Sequence, residues 1–156
     1  MAIASARFVS LSVAGKPIAK GRPRFKDGYN YTPELTRDAE ESMQWEMRQA
    51  CATPLEGPLA LSMTFSFRRP EGWPKAQRDE VDNGKQPWRP GRPDLDNLIK
   101  LVQDAGNGIL WRDDAQIVRL EAIKVYGPEN ETVINVFPAE YSMPDRQSPG
   151  GEGGGR

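Results

Sequence analysis

The chain has 156 residues, no histidine, one cysteine (Cys51) and a formal net charge of −1. That length suits one domain that buries roughly 70% of its unfolded surface, so no disulfide or structural metal is needed to hold a core. Without histidine, a Cys/His zinc site, a Ser-His-Asp triad, a Cys-His pair and nucleases with a histidine base are excluded. Acid–base or metal chemistry is left to Asp, Glu, Lys and Tyr. A lone thiol cannot close an internal disulfide, which fits a reducing cytoplasm. No segment approaches the roughly 18 apolar residues of a membrane span. The first twenty residues lack the basic start and long apolar stretch of a signal peptide.

In chain order, Arg7 to Val13 alternates apolar and polar residues and predicts a first strand. Gly15-Lys16-Pro17 turns it, and Lys20-Gly21-Arg22-Pro23-Arg24-Phe25 continues extended, because residues before proline avoid the helical region. Asp27-Gly28 and Asn30 mark a turn of hairpin type. Thr32-Pro33-Glu34 opens a helix, with Thr32 as N-cap and Pro33 in the first position. This helix reaches about Cys51 with Leu35, Ala39, Met43, Met47 and Ala50 on one face, and Thr53-Pro54 and Gly57-Pro58 end it.

Leu59 to Phe67 is the clearest strand, apolar at alternate positions with Ala60, Ser62, Thr64 and Ser66 between them. Arg68 to Pro93 reads as a long loop with five prolines and two tryptophans. Such loops serve a function or are disordered. Trp73 and Trp88 either stack on bases or fold the loop onto the body, and the second reading is favoured. Asp94 to about Asp104 predicts a helix with Leu95, Leu98, Ile99 and Val102 inward, stopped by Gly106-Asn107-Gly108. Ala115–Tyr126 and Thr132–Phe137 read as two closing strands joined through Gly127-Pro128. Residues 1–140 are taken as one domain, and the Pro/Gly-rich residues 141–156 as a disordered tail.

The charge distribution says more than the sum. Lys16, Lys20, Arg22, Arg24 and Lys26 follow one another with no acid between them, and seven basic residues lie between Arg68 and Arg92 against four acidic ones. Acids concentrate instead in Glu34–Glu46 and in 94–114. Basic segments around an acidic centre suit a polyanion held near a metal.

Asp94-x-Asp96 alone is ordinary helix-start chemistry, and Asp113-Asp114 alone is ordinary turn chemistry. Together they are harder to dismiss. Asp96, Asn97, Lys100 and Asp104 share one side of the predicted helix, opposite the leucines, with Asp94 at its mouth. A strand after Asp114 that pairs near the helix start adds a further carboxylate. Anions crowded in this way need a cation or lysine, and Mg²⁺ suits the oxygen ligands. Two chemistries fit such a site. One is a nuclease in which Lys100 supports the nucleophile or oxyanion. The other is a nucleotide-sugar transferase of the Asp-x-Asp type, although that motif ordinarily ends a strand of a larger α/β domain.

The chain resembles the RusA family of Holliday-junction resolvases of bacteria, phages and prophages, over about residues 11–126. The resemblance rests on Gly15-Lys16-Pro17, Lys20-Gly21-Arg22-Pro23-Arg24-Phe25, Tyr31-Thr32-Pro33, Asp94-Leu95-Asp96-Asn97-Leu98-x-Lys100, Asp104-Ala105 and Trp111-x-Asp113-Asp114-x-Gln116. It implies metal-binding aspartates at Asp94, Asp96 and Asp114, an essential lysine at Lys100, Mg²⁺ or Mn²⁺ dependence, a homodimer, and paired nicks across a four-way junction. Gly106 departs from the family, standing where a leucine commonly anchors the helix end, which predicts a loosened turn. The 70–93 insertion is a second departure.

The expected fold is α+β, a small mixed sheet with two helices on one face. Asp113 is expected as an outer partner or alternative ligand of the metal. Lys16, Lys20, Arg22, Arg24, Arg69 and Arg92 are assigned to DNA phosphates, which makes binding salt-sensitive. The competing readings are a catalytically silent branched- or single-strand-DNA-binding protein, and a less selective flap or branched-DNA nuclease.

Overall fold

A computed structural model describes residues 7–21, 24–31 and 33–139, without the side chains of Arg24 and residues 29–31. The elements are β1 (Val9–Ala14), β2 (Arg24–Lys26), β3 (Tyr29–Tyr31), α1 (Glu34–Ala50), β4 (Leu59–Arg68), α2 (Lys75–Asp82), α3 (Leu95–Gly106), a 3-10 turn (Asp114–Gln116), β5 (Ile117–Gly127) and β6 (Glu131–Pro138). Arg22, Thr32 and the 141–156 tail lie outside the described residues.

Four strands form one sheet in the order β1-β6-β4-β5. β6 pairs antiparallel with both β1 and β4, whereas β4 and β5 run parallel. The short chain between β5 and β6 therefore crosses the end of β4. β2 and β3 form a separate hairpin, with Asp27 at φ 52° and Gly28 at φ 83° in its turn. Val118 is left unopposed where the β4–β5 register shifts, since Leu59 pairs with Ile117 and Ala60 with Arg119.

Period-two alternation puts Leu59, Leu61, Met63, Phe65 and Phe67 of β4 on one face beside Ile134 and Val136 of β6 and Val9 and Leu11 of β1. α1 and α3 cover that face with Met43, Met47, Leu98, Leu101, Val102 and Ala105. Each of the larger of these side chains (Val, Leu, Ile, Phe, Met), fully buried, contributes about 1.5–3 kcal/mol of transfer free energy, and Ala105 less. The buried stripe of α1 is Thr36, Met43 and Met47 with Ala39 against it, a helical repeat. Leu35 and Ala50, expected inward, are exposed.

Two long helices on one face of a mixed sheet match the α+β expectation. The third helix, α2, lies within the segment expected to be a loop and corrects that reading. Trp73 docks edge-on against Tyr126 with 4.7 Å between ring centroids, folding this segment onto the body, while Trp88 stays 71% exposed.

The Gly106 turn is not loosened. Trp111 is fully buried against Gly106, and a Cβ there would overlap its indole, lying 2.7 Å from Cη2. The indole Nε1 donates to Asn107 Oδ1 at 2.9 Å. The tryptophan ring fills the space that a larger helix-end side chain would occupy.

Candidate active site

The segment leading to Asp94 is held along β5. Tyr126 N donates to the Pro87 carbonyl at 2.9 Å and Arg89 N to the Lys124 carbonyl at 3.0 Å. The Arg89 guanidinium lies 3.9 Å from the Phe67 ring centroid and donates to the Arg92 carbonyl at 2.8 Å. Lys124 Nζ donates to the Pro93 carbonyl at 2.6 Å and also to the Gly91 carbonyl. Asp94 is thus delivered to the mouth of α3 from a braced strap.

Asp94 occupies the N-cap of α3 with extended φ and ψ, yet its side chain makes no capping hydrogen bond. The usual structural use of an acid at this position is not exercised. Asp96, in the first turn, accepts from Asn97 N at 2.9 Å, and both aspartates are exposed.

At the second segment the two aspartates divide their tasks. Asp113 caps the 3-10 turn, its Oδ1 accepting from Ala115 N at 2.8 Å. Gln116 returns the bond, its Oε1 accepting from Asp113 N at 3.2 Å and Arg112 N at 2.8 Å. Gln116 Nε2 then ties the turn to the Leu55 and Gly57 carbonyls at 3.0 and 3.1 Å. Asp114 takes no part in this capping. Its carboxyl is pushed above the ordinary value by hydrogen bonding with Asp113, by partial loss of water and by the charges of Asp113 and Asp104, with Lys100 acting in the opposite sense.

An ion network adjoins Asp114 through the charges of Asp104 and Lys100. Asp104 Oδ2 lies 3.2 Å from Lys20 Nζ and 3.8 Å from Lys100 Nζ. Lys20 Nζ also donates to Glu40 Oε2 at 2.8 Å, joining α1 to α3. Partial burial alone would depress the Lys20 ammonium, but hydrogen bonds to Glu40 and Asp104 outweigh it and hold it above the ordinary lysine value.

The sequence-based site residues are therefore distributed unevenly. Asp94 and Asp96 stand at the start of α3. Asp114 feels Lys100 and Asp104 in the later turns of that helix, which rises 1.5 Å per residue. Among the described residues no three Asp, Glu or Cys side chains form a closed metal-ligand group. Lys16 and Arg92 are exposed, and Arg24 lies on β2. Lys20 is engaged as above. Arg69 makes a two-pronged contact with Asp82, both bonds 2.8 Å.

Three residues at the site lay beyond the sequence-based assignment. Asp104 stood in the helical row, and the i,i+4 spacing to Lys100 was its signal. Gln116 was visible only as a motif letter. Lys124 had no signal, because its partners are main-chain carbonyls.

The donor chemistry fits a hard divalent cation. Asp94, Asp96 and Asp114 offer exposed carboxylate oxygens, the hard donors such a cation takes.

The family model described as "Endodeoxyribonuclease RusA" matches residues 14–137, which include every residue of both acidic segments. The chain is 28% identical over 138 residues to the uncharacterized protein YqaN of Bacillus subtilis (strain 168), covering 82% of this chain and 94% of that protein. It is 37% identical over 82 residues to the crossover junction endodeoxyribonuclease rusA of Lactococcus phage r1t, covering 51% of this chain and 53% of that one. A family match over most of the described residues, on an α+β fold with two acidic segments at one helix, makes the chain a member of the RusA endodeoxyribonuclease family.

Proposed function

We propose that the protein is a Mg²⁺-dependent, structure-specific endodeoxyribonuclease that resolves four-way junctions by paired nicks. The observation that carries this reading is the freedom of Asp94 and Asp114 from the capping bonds that Asp113 alone makes. Asp94, Asp96 and Asp114 hold the cation, for which Mn²⁺ substitutes. When bound, such a cation lowers the pKa of a coordinated water and neutralises charge on the attacked phosphate.

The chain's own residues supply the rest. Lys100, exposed on α3, supplies a positive charge for the developing phosphorane. Asp113 and Gln116 fix the turn that presents Asp114. Lys16, Arg22, Arg24 and Arg92 hold the phosphate backbone. Two copies, each with one site, address opposed strands of the junction.

Asp94→Asn, Asp96→Asn, Asp114→Asn and Lys100→Ala test the assignment. Each is expected to bind a labelled junction with wild-type affinity and to lose about 100-fold or more in nicking rate. Unchanged nicking in Mg²⁺ by Asp96→Asn removes the metal assignment. Mg²⁺-independent binding by the wild type with no nicks at all supports the catalytically silent reading instead.

A further inference from the structure

Lys20 belongs to the basic strap, where its neighbours suit phosphate contacts. Its surroundings say otherwise. Its side chain is only 21% exposed, its Nζ is bound by two carboxylates, and its main-chain N donates to the Asn97 carbonyl at 2.9 Å. The next residue is seated equally tightly: Gly21 N donates to Thr36 Oγ1 at 3.2 Å, and a Cβ at Gly21 would lie 2.8 Å from that oxygen. Lys20 and Gly21 are thus pinned against α1 and α3, with the Lys20 ammonium turned inward. An ammonium already held by two carboxylates has little to offer a phosphate.

What Lys20 does control is Asp104. One oxygen, Oδ2, faces both Lys20 at 3.2 Å and Lys100 at 3.8 Å. The nearer ammonium takes the larger share of that charge, and Lys100 remains 62% exposed and loosely held. Without Lys20, the full charge of Asp104 falls on Lys100, with a second carboxylate field acting on Asp114.

We infer that Lys20 is a positioning residue that neutralises Asp104 and so keeps Lys100 available to the scissile phosphate. This rests on the proposed role of Lys100 in cleavage. Lys20 acts through Asp104 and touches neither DNA nor cation. Glu40 shares the ammonium and holds it in place from α1.

The test compares Lys20→Met, Lys20→Arg, Asp104→Asn and the double variant Lys20→Met/Asp104→Asn. In single-turnover cleavage of a four-way junction, Lys20→Met is expected to slow nicking about 10-fold or more, with junction affinity and its salt dependence unchanged. Lys20→Arg keeps the rate. The double variant recovers most of it, because no carboxylate remains to capture Lys100.

Titration calorimetry with Mn²⁺ and no DNA provides a second reading. Lys20→Met, with its uncompensated carboxylate near Asp114, binds Mn²⁺ more tightly than wild type, and the double variant returns to the Asp104→Asn value. A merely structural role for Lys20 predicts the reverse: a lower melting temperature, weaker Mn²⁺ binding and no rescue. Failure of the double variant to recover, or a weaker salt dependence of junction binding in Lys20→Met, overturns the inference. If Lys100→Ala nicks as fast as wild type, the role of Lys100 fails instead, and the calorimetric comparison alone decides whether Lys20 neutralises Asp104.

Discussion

Asp113 and Asp114 are adjacent and chemically identical, yet their surroundings give them different work. Asp113 spends an oxygen on Ala115 N and exchanges a second bond with Gln116, so its value is geometric. Asp113→Asn keeps an amide oxygen for the same bond and is expected to fold and nick normally, whereas Asp113→Ala loses the cap and about 1 kcal/mol of stability. Chemical denaturation of the two variants distinguishes a cap from a metal ligand, since a ligand would not tolerate Asn. A pH effect accompanies this. The folded protein holds the Asp114 proton more tightly than the unfolded chain does, so this group contributes stability at low pH that is lost as pH rises through its folded value. Asp113→Asn, by removing the main cause, flattens that loss. The sequence alone made both aspartates candidates. The family resemblance singles out Asp114, and the hydrogen bonds show what Asp113 does instead, because no spacing rule reports which neighbour a turn carboxylate will choose. Asp104 teaches the same point from the other side: its place on the helix face was readable, but its pairing with Lys20 depends on a strap that reaches it across 84 positions of sequence.

The elements divide along similar lines. The alternation of β4 and most of the α1 and α3 stripes are plain, because periodic burial writes itself into local sequence, although Leu35 and Ala50 at the ends of α1 face out. α2 is not plain, because Lys75–Asp82 buries only Val81 and sits among prolines, so nothing periodic betrays it. Its place is secured by longer-range contacts, with Arg69 forked onto Asp82 and Trp73 seated on Tyr126. The end of α3 runs opposite to its sequence signal. Gly106 looked like a missing anchor, whereas the buried Trp111 indole takes the space. Ala at Gly106 gains helix propensity but must displace that ring, for an expected net loss of about 1–3 kcal/mol. A lowered denaturant midpoint in Gly106→Ala checks this. An equal or raised midpoint means that the indole does not fill the space. The consequence reaches function, because this turn connects α3 to the segment that carries Asp113 and Asp114.

At the scale of the whole molecule, the topology explains why two acidic segments meet at one helix. α3 lies over the core face of the sheet, and the chain returns through the Trp111 turn into β5, which runs beside β4. The 3-10 turn that opens β5 therefore contacts α3, and the far end of β5 braces the strap before Asp94 through Lys124. Lys20 closes the arrangement from the N-terminal side. The α+β class was legible in the sequence, but the parallel pairing of β4 with β5 was not, since no local pattern encodes which distant strand becomes a neighbour. Among the described residues no helix is long and apolar enough to cross a membrane, and the single cysteine, Cys51, is buried. A near-neutral chain whose basic segment at 16–26 carries no acid, and whose acids gather at 94–114, suits a polyanionic partner. The proposed activity is cutting of branched DNA at this centre with a divalent cation. Cleavage of end-labelled four-way, flap and linear duplex substrates in Mg²⁺, Mn²⁺ and EDTA tests it most directly. Symmetric nicks confined to the four-way junction in Mg²⁺ or Mn²⁺, and none in EDTA, are the predicted result. Cutting that persists in EDTA, or equal cutting of linear duplex, would contradict it.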